Sequence, residues 1–188
     1  MKKRLKKVVI LAALSLVLCL TLGVTLISYF NTIKPGGIVI HHSAIPFLQN
    51  EYSPDVKTID EIHKRKGYGI FYWGKTYHVG YHYIILPDGT LQQGRPEKSR
   101  GAHTSGYNDY IGICLIGDFS FKNETDWKTD QRPTNEQMQT LTVIVKDLQL
   151  KYDLPPDKVK THKELNSETK CPGENFPGDN FFEQIKKF

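Results

Sequence analysis

Ile38-Val39-Ile40-His41-His42-Ser43 sets three β-branched apolar residues directly before two histidines, just after the break at Pro35-Gly36-Gly37. A short apolar run bounded by turn formers reads as a buried strand, and here its end delivers histidines. A second run, Ile111 to Ile116, has the same character and encloses Cys114. Around these two strands the pattern alternates. Val56, Ile59 and Ile62 recur at helical spacing after Ser53-Pro54, predicting an amphipathic helix from Asp55 to about Lys66 that Gly67 ends. A Gly-rich aromatic stretch follows. Tyr81 to Leu86 reads as a strand, Pro87-Asp88-Gly89 as a tight turn and Thr90 to Gln93 as its hairpin partner.

Phe119 to Arg132 is polar and predicts an exposed loop, after which Thr134 and Gln137 form a capping-box pattern. The helix that starts there carries Met138, Leu141, Val145, Leu148 and Tyr152 as its buried stripe, and Leu154-Pro155-Pro156 stops it. Val159 to Thr161 is expected as a short strand or extended piece leading to His162. Asp179 is expected to cap a last helix docked by Phe182 and Ile185. Strands alternating with helices, plus one hairpin, give an α/β expectation: a single domain with a mixed central β-sheet flanked by helices.

The charge is unevenly placed. Lys2, Lys3, Arg4, Lys6 and Lys7 account for the whole net charge of +5, and from Asn31 onward 20 basic residues face 20 acidic ones. A balanced globular part lacks the basic face that phosphate neutralisation requires, which argues against nucleic acid as a partner. Val8 to Phe30 carries no charge and would span about 34 Å as a helix, enough for a hydrocarbon core of about 30 Å. It is expected as a single-pass transmembrane anchor (8–30) behind a basic cytoplasmic tail (1–7). A linker (31–37) and a domain (38–188) would follow on the extracytoplasmic side of the cell membrane. The alternative is a signal peptide whose cleavage leaves a secreted domain, but such apolar regions are shorter, and no clear small-x-small site follows this one. Three cysteines, Cys19, Cys114 and Cys171, stand in different surroundings and do not make a disulfide scaffold. A monomer is expected.

Catalytic zinc takes three protein ligands from His, Cys or carboxylate and keeps one position for water. His41, His162 and Cys171 supply such a set from a strand end, the segment after the long helix and a Pro-Gly loop. Spacing alone does not single them out among seven histidines.

A longer series of motifs does. Ile38 through Ala44, Gly80-Tyr81-His82-Tyr83, Asp88-Gly89-Thr90, Gly94-Arg95, Gly101-Ala102-His103, Gly106-Tyr107-Asn108, Ile111 through Phe119, Pro133-Thr134 with Gln137, and Thr169-Lys170-Cys171-Pro172-Gly173 follow in order. Together they resemble the zinc N-acetylmuramoyl-L-alanine amidases, which include phage lysozyme-type amidases and peptidoglycan recognition proteins. The resemblance runs from about Ile38 to Phe176. It implies Zn2+ held by His41, His162 and Cys171, Tyr81 beside the attacking water, and Thr169 as a donor to the oxyanion. It implies hydrolysis of the amide between N-acetylmuramic acid and L-alanine, with peptidoglycan as partner. His41 rather than His42 is the implied ligand because the family's histidine directly follows the apolar run, and adjacent strand residues face opposite ways.

His42 is then a substrate-groove residue or a packed core histidine. His103 and Asn108 lie in segments that line the substrate groove in relatives, and Asn108 would equally suit a loop-stabilising role. A second branch of these amidases has a glutamate base where this chain has Cys114, so the resemblance is to the tyrosine branch. Gly69 to Val79, with Phe71, Tyr72, Trp73 and Tyr77, looks like an insertion relative to the phage enzymes. It would form a wall for sugar rings or stem peptide, or fold its aromatics onto the core. A sensor of the same fold without turnover is the alternative function. Relatives of that kind usually lose the cysteine or the tyrosine, and this chain keeps Cys171 and Tyr81. No His-Glu-x-x-His occurs to support a zinc peptidase.

Overall fold

A computed structural model describes residues 2–47, 53–120 and 131–186. In chain order the elements are α1 (Lys2–Phe30), β1 (Ile38–His42), α2 (Val56–Arg65), β2 (Ile70–Tyr72), β3 (Lys75–Tyr77), β4 (Tyr83–Ile85), β5 (Leu91–Gln93), β6 (Ile111–Leu115), α3 (Asn135–Tyr152), a 3-10 turn at Pro156–Lys158, β7 (Val159–Thr161), α4 (His162–Leu165) and α5 (Gly178–Ile185). Five strands form one sheet in the order β5-β4-β6-β1-β7. β1 pairs in parallel with both β6 and β7, and β4 pairs in parallel with β6, while β5 is the antiparallel edge. The mixed sheet with flanking helices is the architecture that the alternating pattern predicts.

Every residue of β1 and β6 is buried. Unbroken apolar runs rather than alternation are what a central strand covered on both faces requires. Ile38, Ile40, Ile111 and Ile113 have no exposed surface and share one core with Ile59 of α2, Leu141, Val145 and Leu148 of α3, and Phe181 and Ile185 of α5. Fully burying such a side chain is worth about 1.5–3 kcal/mol.

Local signals place the helix ends. Asp55 caps α2 by accepting from the Thr58 N–H at 2.9 Å, and Gly67 follows the helix with φ of 75°. In α3 the Thr134 hydroxyl and the Gln137 side chain exchange the reciprocal bonds of a capping box. Gln137 also reaches into the core, where Nε2 donates to Ile85 O at 3.1 Å and to Ile116 O at 2.9 Å, tying the ends of β4 and β6 to α3.

Three expectations need correction. Regular strand pairing begins at Tyr83, not Tyr81, although His82 N still donates to Gly112 O at 2.9 Å. Asp179 lies inside the first turn of α5, which follows Pro177 without a side-chain cap, and the buried anchors are Phe181 and Ile185 while Phe182 packs at the margin. The aromatic stretch is an antiparallel hairpin of β2 and β3, pairing Tyr72 with Lys75. The exposed loop expected between Phe119 and Arg132 lies mostly outside the described residues.

Candidate metal centre

β1 delivers its two histidines to opposite faces, as strand geometry demands. The His42 ring turns toward Phe119, 5.8 Å between centroids, and its Nδ1 accepts from the Phe119 N–H at 3.1 Å. His42 is buried on this face of β1. His41, 1% exposed, faces the carboxyl edge of the sheet. His162 arrives there because β7 runs parallel to β1 and ends one residue before it, with Thr161 capping α4. Cys171 is brought up by the following loop, where its carbonyl accepts from Lys163 N at 2.8 Å.

His41, His162 and Cys171 each offer one ligand atom, and these atoms lie within 4.8 Å of one another. Sγ of Cys171 is 3.5 Å from Nδ1 of His41. Tetrahedral zinc with Zn–S of about 2.3 Å and Zn–N of about 2.0–2.1 Å separates sulfur from nitrogen by about 3.6 Å, so the donor set suits such an ion in kind, and the Cys171–His41 pair suits it in spacing. Burial pushes the Cys171 thiol up to about 12 and lowers the His41 pKa well below its ordinary value, with His103, His162 and His42 adding to the second effect. A neutral His41 keeps a lone pair for a cation.

Hydrogen bonds behind His41 decide which nitrogen carries that lone pair. His103 Nε2 lies 3.0 Å from the Tyr110 carbonyl, which can only accept, so Nε2 holds the proton. Burial, with His82 nearby, lowers the His103 pKa to about 3, so its ring is neutral and Nδ1 is an acceptor. That atom is 3.1 Å from Nε2 of His41. His41 therefore donates through Nε2 and presents a bare Nδ1 toward Cys171. Two glycines make room for the His103 ring. A Cβ at Gly101 or Gly112 would meet it at 2.5 or 2.6 Å. Asn108 in turn fixes the backbone of this loop, with Oδ1 accepting from His103 N at 2.9 Å and Thr104 N at 3.1 Å. His103 and Asn108, expected as substrate contacts, are thus hydrogen-bonded to His41 and to the loop behind it.

Tyr81 stands beside the trio, its ring 5.1 Å from that of His41. Burial, then the neighbouring thiols of Cys114 and Cys171, raise its pKa well above the ordinary value, so the phenol stays protonated. In register with His41 on the adjacent strand, Cys114 is fully buried. Thr169 Oγ1 accepts from Cys171 N at 3.2 Å, shaping the cysteine loop, whereas Lys170 points outward to an exposed pair with Glu174.

Sequence reasoning assigned no role to the groups that hold Tyr81. His63, in the last turn of α2, accepts from Gly80 N through Nδ1 at 2.8 Å and packs 5.4 Å from the Tyr81 ring. His82 bridges the next layer, with Nε2 at 2.8 Å from Ser99 O and Nδ1 accepting from Gly112 N at 2.9 Å. The buried guanidinium of Arg95 donates to the carbonyls of Val79, Tyr68 and Arg100. The motif pairs Gly80-Tyr81 and Gly94-Arg95 mark these backbone approaches, but their partners are distant in sequence.

Comparison with known proteins agrees with this geometry. Residues 31–174 match the family described as N-acetylmuramoyl-L-alanine amidase. The endolysin of Escherichia phage T7 is 38% identical over 117 residues, covering 62% of this chain and 68% of the phage protein. The solved N-acetylmuramoyl-L-alanine amidase LysC from Clostridium intestinale URNW is 31% identical, with a TM-score of 0.65 over 81% of this chain and 86% of its own. A tyrosine-to-phenylalanine mutant of Drosophila PGRP-LB in complex with tracheal cytotoxin is 25% identical, with a TM-score of 0.58 over 84% of this chain and 82% of its own. With a match over most of its length, and with two histidines and a cysteine gathered at the carboxyl edge of the sheet, the chain belongs to the N-acetylmuramoyl-L-alanine amidase family.

Proposed function

We propose that this chain is a zinc enzyme, held at the outer face of the cell membrane by α1, that hydrolyses the amide joining the lactyl group of N-acetylmuramic acid to L-alanine in peptidoglycan. Amidase activity on peptidoglycan goes with membership of the family. The observation that carries the finer reading is the convergence of His41, His162 and Cys171 within 4.8 Å. His41, His162 and Cys171 would hold zinc, which would lower the pKa of a bound water to about 7 and polarise a carbonyl, the two needs of an unactivated amide.

The chain's own groups supply the rest. His103 holds His41 in the tautomer that leaves Nδ1 free for the ion. The Tyr81 hydroxyl, kept protonated, accepts a hydrogen bond from the attacking water and orients it. Thr169 uses its lone pairs on Cys171 N and retains a hydroxyl proton to donate to the oxyanion. Losing one such donor typically costs about 2.7–4 kcal/mol of transition-state stabilisation.

An apolar stretch from Lys6 to Phe30, whose most apolar 18 residues have a mean hydropathy of 2.6 and are not buried against the domain, supports the anchored placement, and the basic residues before it favour the cytoplasmic side. We take the protein to act as a monomer. The test is the full chain in detergent with added zinc on defined muropeptides, with products read by mass. Separate lactyl-glycan and L-Ala-terminated peptide are expected. Intact muropeptide, or cleavage at any other bond, contradicts the reading.

A further inference from the structure

α1 is bonded to the domain instead of hanging from a loose tether. Ser28, in its last turn, is fully buried, and its Oγ accepts from the Trp73 N–H at 2.8 Å. Asn31 Nδ2 donates to Phe71 O at 2.9 Å, Arg100 N to Asn31 O at 3.0 Å, and Ile33 N to Lys98 O at 2.7 Å. The first two bonds clamp the β2–β3 hairpin against the outer end of the apolar helix, and the other two tie the residues after it to the segment at Lys98 and Arg100.

The tip itself is unusual. Trp73 and Gly74 are the two central residues between the paired Tyr72 and Lys75, with φ of 45° and 86°. A two-residue turn with both φ positive is the primed hairpin type, which favours Asn, Asp or Gly at the first position. A bulky residue there is an outlier and persists where the surroundings, or a use for the side chain, impose it. The Trp73 side chain is 58% exposed and meets the ring of buried Tyr72 only edge-on, 6.4 Å between centroids, among the described residues. Tyr29 and Phe30, at the end of the same helix, are 71% and 78% exposed.

At about 1.5 Å per residue, Ser28 lies only about 3 Å along the axis from Phe30. A helix that crosses a bilayer over this apolar stretch therefore carries Trp73 to the depth of its own last turn. That is the headgroup layer, where Trp and Tyr partition with the indole N–H wet and the ring body in the acyl boundary. We propose that the β2–β3 hairpin is a membrane foot. Trp73, with Tyr29 and Phe30, inserts into the interface of the bilayer that α1 crosses and fixes the domain in one attitude on the membrane. This rests on the anchored placement given above. Lipid is preferred to glycan as the occupant because the hairpin tip is continuous with the apolar helix and bonded to it.

The chain has two tryptophans, so Trp127→Phe leaves Trp73 as the sole indole reporter. The full chain of this variant is placed in phosphatidylcholine–phosphatidylglycerol vesicles carrying bromine either near the headgroup or near the end of the acyl chain. The expected result is loss of most Trp73 emission with shallow bromine, a smaller loss with deep bromine, and protection from aqueous iodide. Emission quenched by iodide and indifferent to bromolipid, in protein still resistant to carbonate extraction, overturns the foot and leaves the anchor standing. If that emission instead shifts on adding muropeptide, the hairpin is a wall of the substrate groove and the foot is again overturned. A mass showing that α1 has been cut from protein made in cells overturns the anchored placement and the foot together.

Discussion

A histidine binds a metal through one nitrogen, but the partner of its other nitrogen decides whether the first is available, and such supporting partners typically contribute 10–100-fold to affinity. His103 is that partner for His41. Replacing it with alanine leaves the three ligands in place and should weaken zinc by a factor in that range, read by competition with a chromophoric chelator. Unchanged affinity would show that the His41 ring is oriented by its packing alone. Tyr81→Phe separates a different function. The ring and its contact with His41 survive, so zinc content and fold should be retained. Turnover should fall by roughly a hundredfold or more, the proposed positioning of the water being lost with the hydroxyl. Turnover equal to wild type, at full zinc occupancy, would remove Tyr81 from the mechanism.

At the level of elements, what was readable in advance and what was not divides by sequence distance. β1 and β6 could be read because burial on both faces forces unbroken apolar runs, and α3 because its capping box and buried stripe are local. The ligand set was named through the resemblance and is gathered by parallel pairing of β1 with β7. The hairpin of Gly69 to Val79 was not legible, since its three-residue strands take their register from a turn with an atypical Trp. His63 and His82 were passed over because each bonds backbone far along the chain, at Gly80 for one and at Ser99 and Gly112 for the other.

Those two histidines make a pH prediction. Burial lowers both to about 4, with Lys66 and Arg95 adding to the effect on His63. In the unfolded chain they titrate near 6.5, so above that pH neither state takes up protons and no penalty exists. As pH falls below about 6.5 the unfolded chain binds protons that the folded chain refuses. Stability should drop by about 1.4 kcal/mol per pH unit for each ring until about pH 4. Chemical denaturation of metal-stripped protein between about pH 7 and pH 5 should show a falling midpoint. A flat profile would mean that these rings accept protons in place.

For the whole molecule, the mixed sheet acts as a frame with two working ends. Its carboxyl edge gathers His41, His162 and Cys171, while the segment entering β1 is bonded to a helix long and apolar enough to cross a membrane. Between them the buried Arg95 closes the loops at Tyr68, Val79 and Arg100 around one guanidinium, next to the backbone that presents Tyr81. The end of α1 and the backbone that presents Tyr81 are thereby joined through a continuous set of hydrogen bonds.

The proposed chemistry requires one divalent ion shared by three side chains that the fold brings together from distant positions. Elemental analysis of the purified full chain in detergent, after dialysis against metal-free buffer, tests it most directly, with Cys171→Ser measured alongside. One zinc per wild-type chain is expected, with loss of that zinc in the variant. A folded wild-type chain without stoichiometric zinc, or a variant that keeps it, would contradict it.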